Sequence, residues 1–284
     1  MRPLTISNGG SRATIDATGA HVAEVLLAGE RVVKPSGDGL PTHGGIAVLI
    51  PYAGRVRYGR YSFEGENLQL PVGRDGHAIH GFAKDARWKM LEKTIDSATL
   101  GCRLKGEGYP GTIEATVSYS VNRNSFSTGC VVMNAGDRDC PLVVGFHPYY
   151  LGEEWTISTD GPAYRYRLRD GYFPTGEREP YSFDGVGPRT RLDDCFEVRG
   201  AVVFRSEGRD LVIRRRRMPY LVLYDGKYAE GRSLAIEPYT ALPDAYNNGV
   251  GLQILKSGGV FSCGYWFSLG SGLKAAEGVR KQKK

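Results

Sequence analysis

Short apolar runs broken by glycine and turn residues recur along the whole chain, and long runs with helical period are nearly absent. Residues 4–7, 12–15, 22–27 and 31–34 read as a meander of short strands, and residues 61–70 alternate like one half-buried strand. Residues 98–105, 113–122, 125–134 and 141–149 follow as successive strands, then 201–206, 210–215, 221–224, 233–237 and 260–269. Short helical turns fit near residues 193–196 and 243–246. No Pro-rich or Ser-rich linker interrupts this pattern. It predicts an all-β chain folded as a large two-sheet sandwich, one domain over residues 1–275, with a basic tail at 276–284.

Composition supports that reading. At 284 residues and 41% hydrophobic the chain can bury a sizeable core, and its 39 glycines are about twice the usual share of roughly 7%. The net charge of +6 owes four positive charges to Arg280, Lys281, Lys283 and Lys284, so most of the excess lies in the tail. Nucleic acid would require a basic stripe interleaved with aromatics, which is absent. The internal run Arg214-Arg215-Arg216-Arg217 reads as a solvated strand edge or end. Five cysteines without a Cys-x-x-Cys read as reduced thiols. No apolar segment approaches a membrane span, and Met1-Arg2-Pro3-Leu4-Thr5 has no apolar h-region. These features predict a cytoplasmic, soluble monomer or homodimer with no nucleic-acid or membrane partner.

Three distant stretches carry candidate chemistry: Gly76-His77-Ala78-Ile79-His80-Gly81-Phe82, Gly145-Phe146-His147-Pro148-Tyr149-Tyr150 and Ala235-Ile236-Glu237-Pro238-Tyr239. Each sets a titratable group in strand-like, aromatic surroundings, as proton transfer near neutral pH requires. Pro148 forces His147 into extended backbone; the plainer reading is a core histidine bonded to backbone. Glu237 ends an apolar strand, where a carboxylate is costly unless paired or functional; a structural salt bridge is the alternative. His77 and His80 have the spacing of metal ligands, but no third ligand is near them in sequence. Asp193 and Asp194 read either as a helix cap or as a hydroxyl-binding pair, and Arg55 either as a surface arginine or as a donor to a sugar hydroxyl. No nucleophile elbow, phosphate-binding loop or dinucleotide fingerprint is present.

Seven motifs in order resemble the aldose 1-epimerase (galactose mutarotase-like) family. They are Pro51-Tyr52-Ala53-Gly54-Arg55 with Gly59-Arg60-Tyr61; His80-Gly81-Phe82 with Trp88; Gly108-Tyr109-Pro110-Gly111; Phe146-His147-Pro148-Tyr149; Pro174-Thr175-Gly176; Leu192-Asp193-Asp194-Cys195; and Glu237 with Pro243-Asp244-Ala245. The resemblance spans roughly residues 20–270 and implies a β-supersandwich with few short helical turns. It implies catalysis by Glu237 as base and His147 as acid, with His80 stabilising the C1 oxygen of a monosaccharide. Arg55, Asp193 or Asp194, Tyr149 and Trp88 would bind substrate, without metal or organic cofactor. Gly54 and Asp194 depart from the family pattern, which commonly has Asn and His there.

The implied acid–base pair predicts a bell-shaped pH profile, with histidine titrating between about pH 5 and 9. A hexose-6-phosphate 1-epimerase would need arginines at the pocket rim, for which Arg55, Arg57, Arg60 and Arg74 are candidates. A non-catalytic carbohydrate-binding protein would use aromatics such as Trp88, Trp155 and Trp266. A glycoside hydrolase would use Asp193 and Glu237 as its two carboxylates.

Overall fold

The computed structural model describes residues 3–270; the expected basic tail and the boundary at 275 lie outside the described residues. Two large sheets dominate, one of eleven strands and one of eight. Across the larger sheet the order is Leu4–Asn8, Ser11–Ile15, Val22–Leu27, Ile46–Leu49, Gly145–Leu151, Ser233–Tyr239, Tyr220–Tyr224, Asp193–Val198, Ala163–Arg169 and Phe173–Tyr181, with Glu30–Arg31 pairing beside Val22–Leu27. The smaller sheet runs Lys89–Lys93, Ser97–Leu104, Ile113–Asn122, Ser125–Asn134, Val260–Gly270, Arg209–Arg216, Val202–Ser206 and Trp155–Thr159. The one α-helix among the described residues, Ala245–Asn248, falls at the helical turn expected near 243–246.

The central strand Gly145–Leu151 explains where the candidate cavity lies. Side chains alternate across a sheet, and here Phe146 and Tyr150 face the smaller sheet. Phe146 packs on Tyr265 with ring centroids 5.1 Å apart, and Tyr150 on Phe267 at 5.2 Å. Each such ring, fully buried, stabilises the fold by about 1.5–3 kcal/mol. His147 and Tyr149 therefore point to the opposite face, away from the inter-sheet core. That face is also buried, because loops cover it.

The structure corrects several expectations. Residues 61–70 form a hairpin, not one strand: Arg60–Phe63 pairs with Glu66–Gln69 around Glu64 and Gly65, both in the left-handed region (φ +49° and +81°). A two-residue turn lets the alternating pattern run on unbroken. Residues 193–196 belong to a strand paired with Tyr220–Tyr224, not to a helical turn. The arginine run forms the end of the strand Arg209–Arg216, with Arg214 and Arg216 exposed as expected, but that strand is internal and not at a sheet edge. Arg215 turns inward and donates to the Val198 and Gly200 carbonyls at 3.2 and 2.6 Å, and burial pulls its guanidinium down to about 10. No helix among the described residues is long and apolar enough to cross a membrane.

Candidate active site

Strand register brings the predicted acid–base residues together. Gly145 pairs with Tyr239 and Tyr149 with Ala235, so the antiparallel ladder sets His147 opposite Glu237. Nε2 of His147 lies 3.4 Å from Oε1 of Glu237. On the other side Glu237 pairs with Val222, and Val222 with Cys195, completing a row across the sheet. The next row runs Tyr149, Ala235, Tyr224 and Asp193. These two rows are the floor of a cavity of about 370 Å³, a volume suited to one small ligand.

Loops build the walls. Arg55 and His80 enter from the paired segments Arg55–Val56 and Ala78–Ile79, and the His80 N–H donates to the Gly54 carbonyl at 3.0 Å. Gly81 follows at φ +63°, where a Cβ would lie 2.2 Å from the Ile50 carbonyl oxygen, so only glycine lets His80 approach the floor. The His80 and His147 rings meet edge to face at 5.4 Å, and Tyr149 stacks on His147 at 4.9 Å. The Tyr149 hydroxyl donates to the Thr42 carbonyl, fixing the turn that carries His43 over the cavity. Arg55 is held by Asp75 (Nε to Oδ2, 2.8 Å) and lies 3.9 Å from the Tyr172 ring centre. At Gly54 a Cβ would lie 2.8 Å from Pro243 Cβ, so an asparagine here would need Pro243 to move.

Burial governs the electrostatics. It pushes the Glu237 carboxyl well above the usual range, partly offset by the hydrogen bond from Tyr239 and the charge of Arg55. It pulls His147 down to about 3 and His80 well below the ordinary imidazole value. Both shifts favour neutral forms. The 3.4 Å contact opposes them, because an ion pair gains Coulomb energy. The two groups therefore titrate as a coupled pair, in which burial favours the neutral forms and the contact favours the ion pair. Asp193 is exposed to the cavity, yet desolvation by the concave walls raises it to about 6; Arg55 opposes this, and Asp194 and Asp225 add to it.

Glu237, His147, His80, Arg55, Asp193 and Tyr149 all line the cavity, but Asp194 and Trp88 do not. Asp194 follows Asp193 on a strand and faces the other way, where its Oδ1 accepts from Arg165 Nε and Nη2 at 3.1 and 2.8 Å. Trp88 is buried in the core, its indole N–H donating to the Ala83 carbonyl. It supports the turn carrying Lys84, which does line the cavity. His77 also stays outside, accepting from the Tyr58 N–H and packing on Phe173. Among the described residues no group of three or more His, Cys, Asp or Glu could hold a metal ion.

The sequence reading missed His43, Lys84, Tyr172, Tyr224, Tyr228 and Tyr239, all at the cavity. Tyr239 had a signal: two residues after Glu237 on a strand, it must share its face. The others come from loops or from strands whose facing is fixed only by pairing.

The two-sheet β fold is that of the galactose mutarotase-like proteins. The GalM/aldose epimerase homologue from C. elegans superposes with a TM-score of 0.80 at 19% identity, covering 94% of this chain and 98% of that one. The chain belongs to the aldose 1-epimerase family, whose profile matches residues 2–268. It is 26% identical over 277 residues to the uncharacterised protein YihR of Escherichia coli K12, covering 90% of this chain and 89% of YihR. The E. coli K12 aldose 1-epimerase is 28% identical over 167 residues, covering 55% of this chain and 45% of that protein.

Proposed function

We propose that this protein is an aldose 1-epimerase that interconverts the α and β anomers of a free aldose. The observation that carries the reading is the Glu237–His147 pair, 3.4 Å apart on the cavity floor. In its ion-pair form Glu237 removes the C1 hydroxyl proton while His147 protonates the ring oxygen. The C1–O5 electron pair leaves with O5, and C1 becomes an aldehyde. The pair is then neutral, with the proton on Glu237. Rotation about C1–C2 presents the other face of the aldehyde, and closure returns both protons. His80, neutral beside His147, steadies the C1 oxygen as charge moves. Asp193 and Arg55 hold ring hydroxyls and fix the pose.

A purely binding protein has no use for a buried acid–base pair, whose desolvation costs stability. A free sugar is favoured over a 6-phosphate because the cavity cations Arg55 and Lys84 are already paired with Asp75 and Asp85. Arg57 and Arg60 line a different cleft, and Arg74 is not at the cavity. The reaction needs no metal or organic cofactor. Five unpaired cysteines suit a reducing compartment such as the cytoplasm.

The test is polarimetry of freshly dissolved α-glucose and α-galactose with wild type and Glu237→Gln, alongside the 6-phosphates by NMR exchange. Acceleration that vanishes in the variant is expected. No acceleration of any sugar would overturn the reading.

A further inference from the structure

We propose that Tyr239 is a positioning residue for Glu237: its hydroxyl holds one carboxylate oxygen, so that the other is presented to His147 and the sugar. The Tyr239 hydroxyl donates to Oε2 of Glu237 at 2.6 Å, while Oε1 faces His147 at 3.4 Å. Among the described residues this is the only hydrogen bond donated to the carboxylate. The inference rests on the epimerase reading above.

The geometry comes from the strand. Glu237 and Tyr239 are two residues apart on Ser233–Tyr239 and share the cavity face. The Tyr239 ring is wholly buried and lies over Gly145, its partner on the next strand. A Cβ on residue 145 would lie 2.7 Å from Tyr239 Cδ1 and 2.6 Å from Ala53 Cβ. The glycine of the Gly-Phe-His-Pro stretch therefore makes the space in which this ring reaches back to the carboxylate. Burial also keeps the phenol protonated far into alkaline pH, so it remains a donor throughout the working range.

The hydrogen bond has a definite chemical effect. Ring opening needs the proton on His147, and the open-chain stage has it on Glu237. A dry cavity alone would strongly favour the second arrangement. A donor on Oε2 stabilises the carboxylate and brings the two arrangements closer in free energy. A base that must pick up and return a proton in every turnover works best when neither form is a trap.

The test is Tyr239→Phe, which keeps the ring over Gly145 and removes only the hydroxyl; circular dichroism checks that it folds. Catalysis is followed across pH, and the Glu237 carboxyl by infrared difference spectroscopy, its band assigned with Glu237→Gln. Loss of a hydrogen bond to a charged group corresponds to a shift of about 1–2 pH units. The expected result is a carboxyl that stays protonated to higher pH by that amount. With it, the alkaline limb moves up and kcat falls about 10–100-fold while KM changes little. If the carboxyl titrates as in wild type, or activity falls equally at every pH with both limbs unmoved, the proposal is overturned. The infrared arm needs no turnover. A wild type inactive on all sugars therefore defeats the epimerase reading, whereas an unshifted carboxyl defeats the role of Tyr239.

Discussion

His147 and Glu237 face each other across one antiparallel strand pair, 3.4 Å apart and almost inaccessible to solvent. Neither has another ionic partner among the described residues, so removing one strands the other. Glu237→Gln and His147→Asn should each lower kcat by roughly 10²–10⁴-fold, the range of general acid–base catalysis. The double variant should lose little more than either single one, because the two act as a unit. Steady-state polarimetry on the three variants checks this, and additive losses would mean that the residues act independently.

The pH dependence should differ from that of an ordinary histidine enzyme. Burial takes His147 down to about 3 and Glu237 well above the carboxylate range, so both limbs move outward. Among the groups proposed to hold the sugar, Asp193 is raised to about 6. Asp193 is protonated below that value and ionised above it, and the ionised form is the stronger acceptor for sugar hydroxyls. kcat/KM should therefore rise as pH increases through about 6. The step should be absent in Asp193→Asn. A step that persists in that variant would assign the titration to another group at the cavity.

Glu237 should also cost stability. Its folded-state carboxyl is raised above the unfolded value, so the proton it retains favours the fold at low pH. That advantage is lost as pH rises through the folded value. Glu237→Gln keeps an acceptor for Tyr239 without the charge. It should match wild type near pH 4 and become more stable by about 1–3 kcal/mol near neutrality. Urea unfolding at both pH values measures this, and a variant destabilised at neutral pH would show that the ion pair stabilises the fold.

Much of this site is legible in the chain, and the limits have physical causes. His147 announces itself through the following proline and aromatics, and Glu237 through a carboxylate at the end of an apolar strand. Most strands of the core were readable for the same reason: buried faces demand apolar residues; Asp193–Val198, which opens on two aspartates, was not. Ala163–Arg169 and Phe173–Tyr181 were not, because arginines, glutamates and prolines fill a solvated edge that tolerates them. Their hairpin carries Tyr172 to the cavity, so that contact was invisible too. Trp88 marks a motif, yet serves the wall from behind.

Asp193 and Asp194 could not be separated by composition, but their facing separates them. Asp193→Asn should raise KM about 10-fold, because a neutral amide is a weaker acceptor than a carboxylate. Asp194→Ala should leave KM nearly unchanged and cost about 1–2 kcal/mol of stability. The figure is modest because its partner Arg165 is 42% exposed, and water screens the pair. Parallel kinetics and thermal unfolding distinguish the two; a KM effect in Asp194→Ala would contradict the facing described.

In the proposed mechanism Arg55 ties substrate binding to the charge of the cavity. Its guanidinium is anchored by Asp75 and covered by Tyr172, and its charge opposes the rise of both Asp193 and Glu237. Arg55→Gln removes that charge. KM should rise about 10-fold from loss of a charged donor, and the step in kcat/KM should move above about 6 as Asp193 becomes harder to ionise. Arg55→Lys keeps the charge without the planar fork. It should share the KM defect and leave the step in place. Measured side by side, the two variants separate positioning from electrostatics, and an unmoved step in Arg55→Gln would mean that Arg55 acts on the sugar alone.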